Sequence, residues 1–236
     1  MYARANTIPK SQLPDLKLKY VEHYWHDKPK EERKWNENFI QIVSVDPASK
    51  NLAINISRKY INGMTTPVLF TKIDLTVNDT QSEYDYLLKF LESHRSLLLQ
   101  THVYCIERQL PQNYKMVRIA QHLITYIMTI CLNNHLLPSI YEIDTKLKGQ
   151  YLKVKKSDDV KKIGIDHAIE LLTLRNDKWS LNVLNSNKKK DDLADVIIQV
   201  EALFKELNYF QIPILAIPEA TTEVVKTPII TIKNKN

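Results

Sequence analysis

The run FIQIVSVD, residues 39 to 46, is short, rich in β-branched residues and stops on an acid, the pattern of a buried strand with Asp46 at its C-terminal end. Apolar and polar positions alternate through NLAINISRKY, residues 51 to 60, and through PVLFTKIDL, residues 67 to 75, on either side of the turn INGMTT. The pattern predicts a three-stranded antiparallel meander. From 82 to 99 the period becomes helical, with Tyr86, Leu87, Phe90, Leu91, Leu97 and Leu98 at the recurring positions, before HVYCIE returns to a compact apolar run. That run reads as a buried parallel strand ending on Glu107.

Pro111 suits the first turn of a helix, where its missing N–H costs little, and Met116, Ile119, Ala120, Leu123, Ile127 and Ile130 trace one face as far as Asn133 and Asn134. SIYEI, residues 139 to 143, reads as a fifth strand, followed by a strongly basic stretch and a helix running to about Leu174. A polar loop then leads into a last helix from Asp191 to about Leu207, with Leu193, Val196, Val200, Leu203 and Leu207 on one face. The predicted order is β-β-β-α-β-α-β-α-α, an α/β protein with a mixed five-stranded sheet. Residues 1 to 37 form a polar arm, irregular or partly helical, 38 to 209 the domain, and 210 to 236 a Pro- and Thr-rich extension expected to be mobile.

Two of the acids end apolar strands. If those strands are parallel neighbours, about 4.8 Å apart, Asp46 and Glu107 meet at one edge of the sheet. In KKKDDLADVII, residues 188 to 198, Asp192 and Asp195 are three residues apart and so, at about 100° per residue, project about 60° from each other. A helix packed on the sheet by its apolar stripe would bring both to the strand ends. Four carboxylates together push one another's pKa values up unless cations compensate them, and oxygen ligands suit Mg²⁺ or Mn²⁺. The natural reading is a two-metal phosphodiesterase site, with ions about 3.5 to 4 Å apart. Taken alone, DDLAD is better explained by capping, because acids in a first turn complement the helix dipole and Asp191 suits the N-cap.

Composition changes the picture at four points. The charge of +6 and sequence pI near 9.1 favour a polyanionic partner. Only Gly63, Gly149 and Gly164 are present, so no glycine-rich loop can cradle a nucleotide, and no nucleotide cofactor is expected. No apolar run is long enough for a membrane span, and MYARANTIPKSQLPDLK lacks the apolar core of a secretion signal. Cys105 and Cys131 lie inside apolar patterns, which favours a reducing compartment, the cytoplasm, and no disulfide.

The segments IVSVDPASKNLAI, VYCIERQ and KKKDDLADVII resemble the RuvC-like Holliday junction resolvases of the ribonuclease H-like superfamily, in the branch found in poxviruses and other large cytoplasmic DNA viruses. The resemblance covers about Phe39 to Leu207. It implies a ribonuclease H-like sheet with helices on both faces, and catalytic, metal-binding carboxylates at Asp46, Glu107, Asp192 and Asp195, with Asp191 as a cap. It also implies a homodimer that binds a four-way DNA junction and nicks two strands of like polarity, leaving 5′-phosphate and 3′-hydroxyl ends, during replication or recombination; in a virus this would take place at the cytoplasmic site of viral DNA replication. Two-fold symmetry in the protein would match that of the junction.

Lys146, Lys148, Lys153, Lys155, Lys156, Lys161 and Lys162 form a basic stretch suited to binding backbone phosphates without reading sequence. Lys188, Lys189 and Lys190 directly precede the acids, and Lys189 or Lys190 is placed to offset charge on a scissile phosphate. Two alternatives remain open at this point: a ribonuclease H-like nuclease acting on RNA/DNA hybrids, and a non-catalytic DNA-binding protein of the same fold.

Overall fold

The computed structural model describes residues 20–23, 38–76, 82–155 and 158–207, the first of these as backbone only. The C-terminal extension, most of the arm, and Lys156 lie outside the described residues. In chain order the elements are β1 (Tyr20–His23), β2 (Phe39–Asp46), β3 (Leu52–Tyr60), β4 (Thr65–Ile73), α1 (Glu83–Ser93), α2 (Arg95–Leu99), β5 (Val103–Glu107), α3 (Tyr114–Asn133), β6 (Ser139–Ile143), α4 (Thr145–Tyr151), α5 (Val160–Leu174), α6 (Lys178–Ser186) and α7 (Asp191–Glu206).

All five expected strands form, and the meander is antiparallel as expected. The sheet order is β1-β6-β5-β2-β3-β4, with β5 parallel to both β2 and β6. The sixth strand corrects the reading of the arm: Tyr20 to His23 pair antiparallel with β6, extending the sheet beyond its last parallel strand. Pro67 falls in β4 at the opposite edge, where a missing N–H is tolerated. Gly63 makes the β3–β4 turn with φ of 85°, a conformation that costs a residue without a Cβ little.

Strand alternation sorts the core into two faces. Val43, Val45, Ile54, Ile56, Tyr104 and Ile106 pack with α1, α2 and α3, whereas Ile40, Ile42, Val103, Cys105, Tyr141 and Ile143 pack beneath α4 and α7. Cys105 and Cys131 therefore sit in cores on opposite sides of the sheet. By the same period of two, Asp46 and Glu107 fall on the side of Ile42 and Cys105, which is the α7 side.

Helix α7 is buried through most of its circumference, not along a single stripe, because α4 and α5 pack across it while it lies on β2 and β3. Near its C-terminal end, Glu201 accepts from Lys59 of β3 at 2.7 Å and from Arg175, the C-cap of α5, at 2.8 Å. Burial pushes the Glu201 carboxyl up, but the two cations outweigh it and hold the group below its usual value.

Four helix expectations need correction. The helix expected over 82 to 99 breaks at His94, where Ser93 Oγ donates to the Phe90 carbonyl at 2.7 Å and competes with the main chain. α3 starts at Tyr114, leaving Pro111 in the preceding turn. α4 replaces part of the expected basic coil, started by Asp144, whose carboxylate accepts from Lys146 N at 2.8 Å. α6 replaces the polar loop, started in the same way by Asp177 at Ser180 N, and it buries only Ser180 and Leu184.

Candidate active site

The parallel register pairs Val45 with Ile106, so the next residues, Asp46 and Glu107, emerge side by side at the ends of β2 and β5. Ala53, directly across from Asp46 on β3, packs with Leu193 and Ala194 in the first turns of α7. The small side chains of Ala53 and Ala194 let the helix start close to the strand ends. Asp195 is delivered there, and one oxygen each of Asp46, Glu107 and Asp195 lies within 4.8 Å of the others.

Asp192 does not join that set. It is buried one turn earlier, its Oδ1 accepting from Lys189 Nζ at 2.8 Å, and its Oδ2 is buried without a hydrogen-bond partner. The expected meeting of four acids is therefore three, with the fourth adjoining. Asp191 is corrected as well: Lys190 is the N-cap residue, and Asp191, inside the first turn, pairs with Lys161 of α5 at 2.6 Å. Burial raises the Asp191 carboxyl, but Lys161, with Lys189, outweighs it, and the net direction is down.

Lys148 departs furthest from its sequence reading. Grouped with exposed lysines, it is only 6% exposed, and its Nζ lies 3.0 Å from Glu107 Oε2 and 2.9 Å from Asp195 Oδ2. Burial disfavours its charge, but Glu107 and Asp195 more than offset this, and its pKa is raised. A lysine within a basic run reads as solvated; only the return of α4 against α7 places it inside. The sequence signal that was available is Asp144, a helix starter that also pairs with Arg108, the residue after Glu107. The remaining members of the cluster, Lys146, Lys153, Lys155, Lys161 and Lys162, are exposed, as are Lys188 and Lys189, while Lys190 is half-buried with its Nζ 3.0 Å from Asn185 Oδ1.

One ammonium cannot neutralise three carboxylates. Burial, then the adjacent Glu107, pushes Asp46 well above the usual carboxylate range, and burial keeps Asp195 raised in spite of Lys148. Without further positive charge, this environment favours the protonated form of Asp46. A hard cation relieves the same excess. Mg²⁺ holds oxygens octahedrally at about 2.1 Å, so neighbouring ligands are about 3.0 Å apart and opposite ones about 4.2 Å, and the three acids would draw closer around it. The donor set of three carboxylates, with a fourth buried oxygen unpartnered nearby, fits Mg²⁺ or Mn²⁺.

One further side chain ties these elements together. Gln199, one helical turn after Asp195 and fully buried, donates through Nε2 to Ser44 Oγ at 2.6 Å and Val45 O at 3.1 Å, with Cys105 O at 3.3 Å. Its Oε1 is buried without a partner, a cost of about 1–3 kcal/mol.

No helix among the described residues is long and apolar enough to cross a membrane. No family model matches the chain. The uncharacterized protein 170L of Invertebrate iridescent virus 6 is 29% identical over 149 residues, which is 54% of this chain and 60% of that protein's length. Among solved structures, the yeast mitochondrial Holliday junction resolvase Ydc2 superposes with a TM-score of 0.53 at 16% identity, over 69% of this chain and 78% of Ydc2. RuvC of Thermus thermophilus superposes with a TM-score of 0.51 at 9% identity, over 72% of this chain and 97% of RuvC. At these identities the likeness is one of architecture: the chain has the mixed-sheet α/β fold of the RuvC-type, ribonuclease H-like structures.

Proposed function

We propose that this chain is a divalent-metal-dependent endonuclease that resolves four-way DNA junctions by paired, symmetric nicks. The observation that carries the reading is the convergence of Asp46, Glu107 and Asp195 at the ends of two parallel strands and the start of α7. The fold shared with Ydc2, a protein named as a Holliday junction resolvase, supports the choice of substrate.

In this reading Asp46, Glu107 and Asp195 would hold the metal, and the unpartnered oxygen of Asp192 would be available to a second ion. Bound divalent ions lower the pKa of an attacking water and stabilise the leaving oxygen. The chain's own residues do the remaining work. Lys148 ties Glu107 and Asp195 together through its ammonium. That ammonium lies against the same oxygens that would hold a cation, so in the metal-bound site it would be available to a phosphate oxygen. The exposed lysines at 146, 153, 155, 161, 162, 188 and 189, with Lys190 and Lys156, grip backbone phosphates, and Lys189 is nearest to the acids through Asp192. A homodimer presents two such sites to a two-fold symmetric junction. The iridescent-virus relative supports a viral setting, and resolving junctions would place the protein in DNA replication or recombination.

Incubation with Mg²⁺ and, in parallel, a four-way junction, a linear duplex and an RNA/DNA hybrid tests the reading. Paired junction nicks that are lost in Asp195→Asn but retained in Asp191→Asn support it. Cleavage of the hybrid alone identifies a ribonuclease H-like enzyme, and tight junction binding without cleavage identifies a binding protein; either outcome overturns the proposal.

A further inference from the structure

We infer that Gln199 is a positioning residue that sets the carboxylate geometry of this site; the inference rests on the metal-site reading above. The three carboxylates come from three separate elements, and nothing in local sequence fixes the distance between α7 and the two strands. Apolar packing of Leu193, Val196 and Val200 holds the helix against the sheet but is non-directional and tolerates sliding. The Gln199 amide is directional. It bonds to Ser44 and Val45, the two residues before Asp46, and reaches Cys105, two residues before Glu107. From one turn after Asp195, a single side chain therefore references the helix-borne acid to both strand-borne acids.

The orientation of the amide follows from its partners. Val45 O and Cys105 O can only accept, so the NH₂ must face them, and Oε1 is left unsatisfied in the core. An apolar side chain of similar length would fill the same space without that unmet acceptor. The amide thus fixes position and leaves a polar atom uncompensated, the balance expected of a group that serves geometry ahead of stability.

Gln199→Met removes the amide at nearly constant volume, and Ile198→Val, at the adjacent buried position, removes packing alone. Binding of Mn²⁺ by itself is measured by calorimetry, melting temperature without metal is recorded, and kcat and KM are determined on a four-way junction. Gln199→Met is expected to melt near the wild-type temperature, since it removes the unmet Oε1 but also the partner of the buried Ser44 hydroxyl, to bind Mn²⁺ at least tenfold more weakly, and to lose kcat with KM unchanged. Ile198→Val is expected to melt lower and bind Mn²⁺ as wild type. If Gln199→Met keeps Mn²⁺ affinity and kcat within twofold of wild type, the positioning role is overturned while the metal site stands. The role is equally overturned if Ile198→Val weakens Mn²⁺ binding as much as Gln199→Met does. Failure of the wild-type protein to bind Mn²⁺ overturns the metal-site reading itself, and the inference with it.

Discussion

The Lys148 ammonium lies 2.9 Å from Asp195, and the same nitrogen is 3.0 Å from Glu107, so one buried cation joins an acid of α7 to an acid of β5. It occupies the electrostatic role that a metal ion would share.

Lys148→Met should therefore destabilise the metal-free protein by about 2 kcal/mol, between the values for buried and surface pairs because Asp195 is partly exposed. The variant should also gain more melting temperature from Mn²⁺ than wild type does, since metal then replaces the only ammonium at these carboxylates among the described residues. Thermal melts with and without Mn²⁺ check this; equal responses in the two proteins would count against it.

Metal affinity should rise with pH. Asp46 is held well above its usual range by burial and by Glu107, so below that raised value the metal has to displace a proton. As pH rises through it, the proton is lost and affinity increases to a plateau. Calorimetry in two buffers of different ionisation enthalpy should reveal proton release on Mn²⁺ binding that disappears in Asp46→Asn.

The strand-end acids were legible in the sequence because each closes an apolar run whose type is set by β-branched residues, and parallel pairing follows from the intervening helical segment. Asp195 was legible by helical spacing. Asp192 was less so: spacing gives direction around the helix but not the Lys189 contact that turns its carboxylate aside. Lys148 and Gln199 were illegible, since a lysine in a basic run and a glutamine in a helix read as solvent-facing until α4, α5 and the sheet enclose them. Strand β1 was missed because four residues in a charged, proline-containing arm carry no period, and pairing with β6 supplies their order.

Glu201 predicts a second pH effect, of opposite chemical origin. Its folded pKa is depressed, so its pairing with Lys59 and Arg175 stabilises the fold above the unfolded value, about 4.3, and that contribution is lost as pH falls through the lower folded value. Glu201→Gln should cost roughly 3 kcal/mol at pH 7 and progressively less as the medium becomes acidic. Urea denaturation across pH 7 to 3 measures the difference; a constant gap would show that the ion cluster is not its source.

Junction binding should weaken steeply with salt, because phosphate contacts release counterions. Replacing Lys146 or Lys162, both exposed, should reduce the slope of log affinity against log salt by about one each and leave sequence preference unchanged. Slopes identical to wild type would place the DNA on another surface.

Diffraction at the manganese edge from crystals soaked in Mn²⁺ tests the central claim most directly. An anomalous peak within about 2.2 Å of oxygens from Asp46, Glu107 and Asp195, with the Lys148 ammonium displaced from them, is the predicted result. Saturating Mn²⁺ with no peak there, and Lys148 still bridging Glu107 and Asp195, would contradict it.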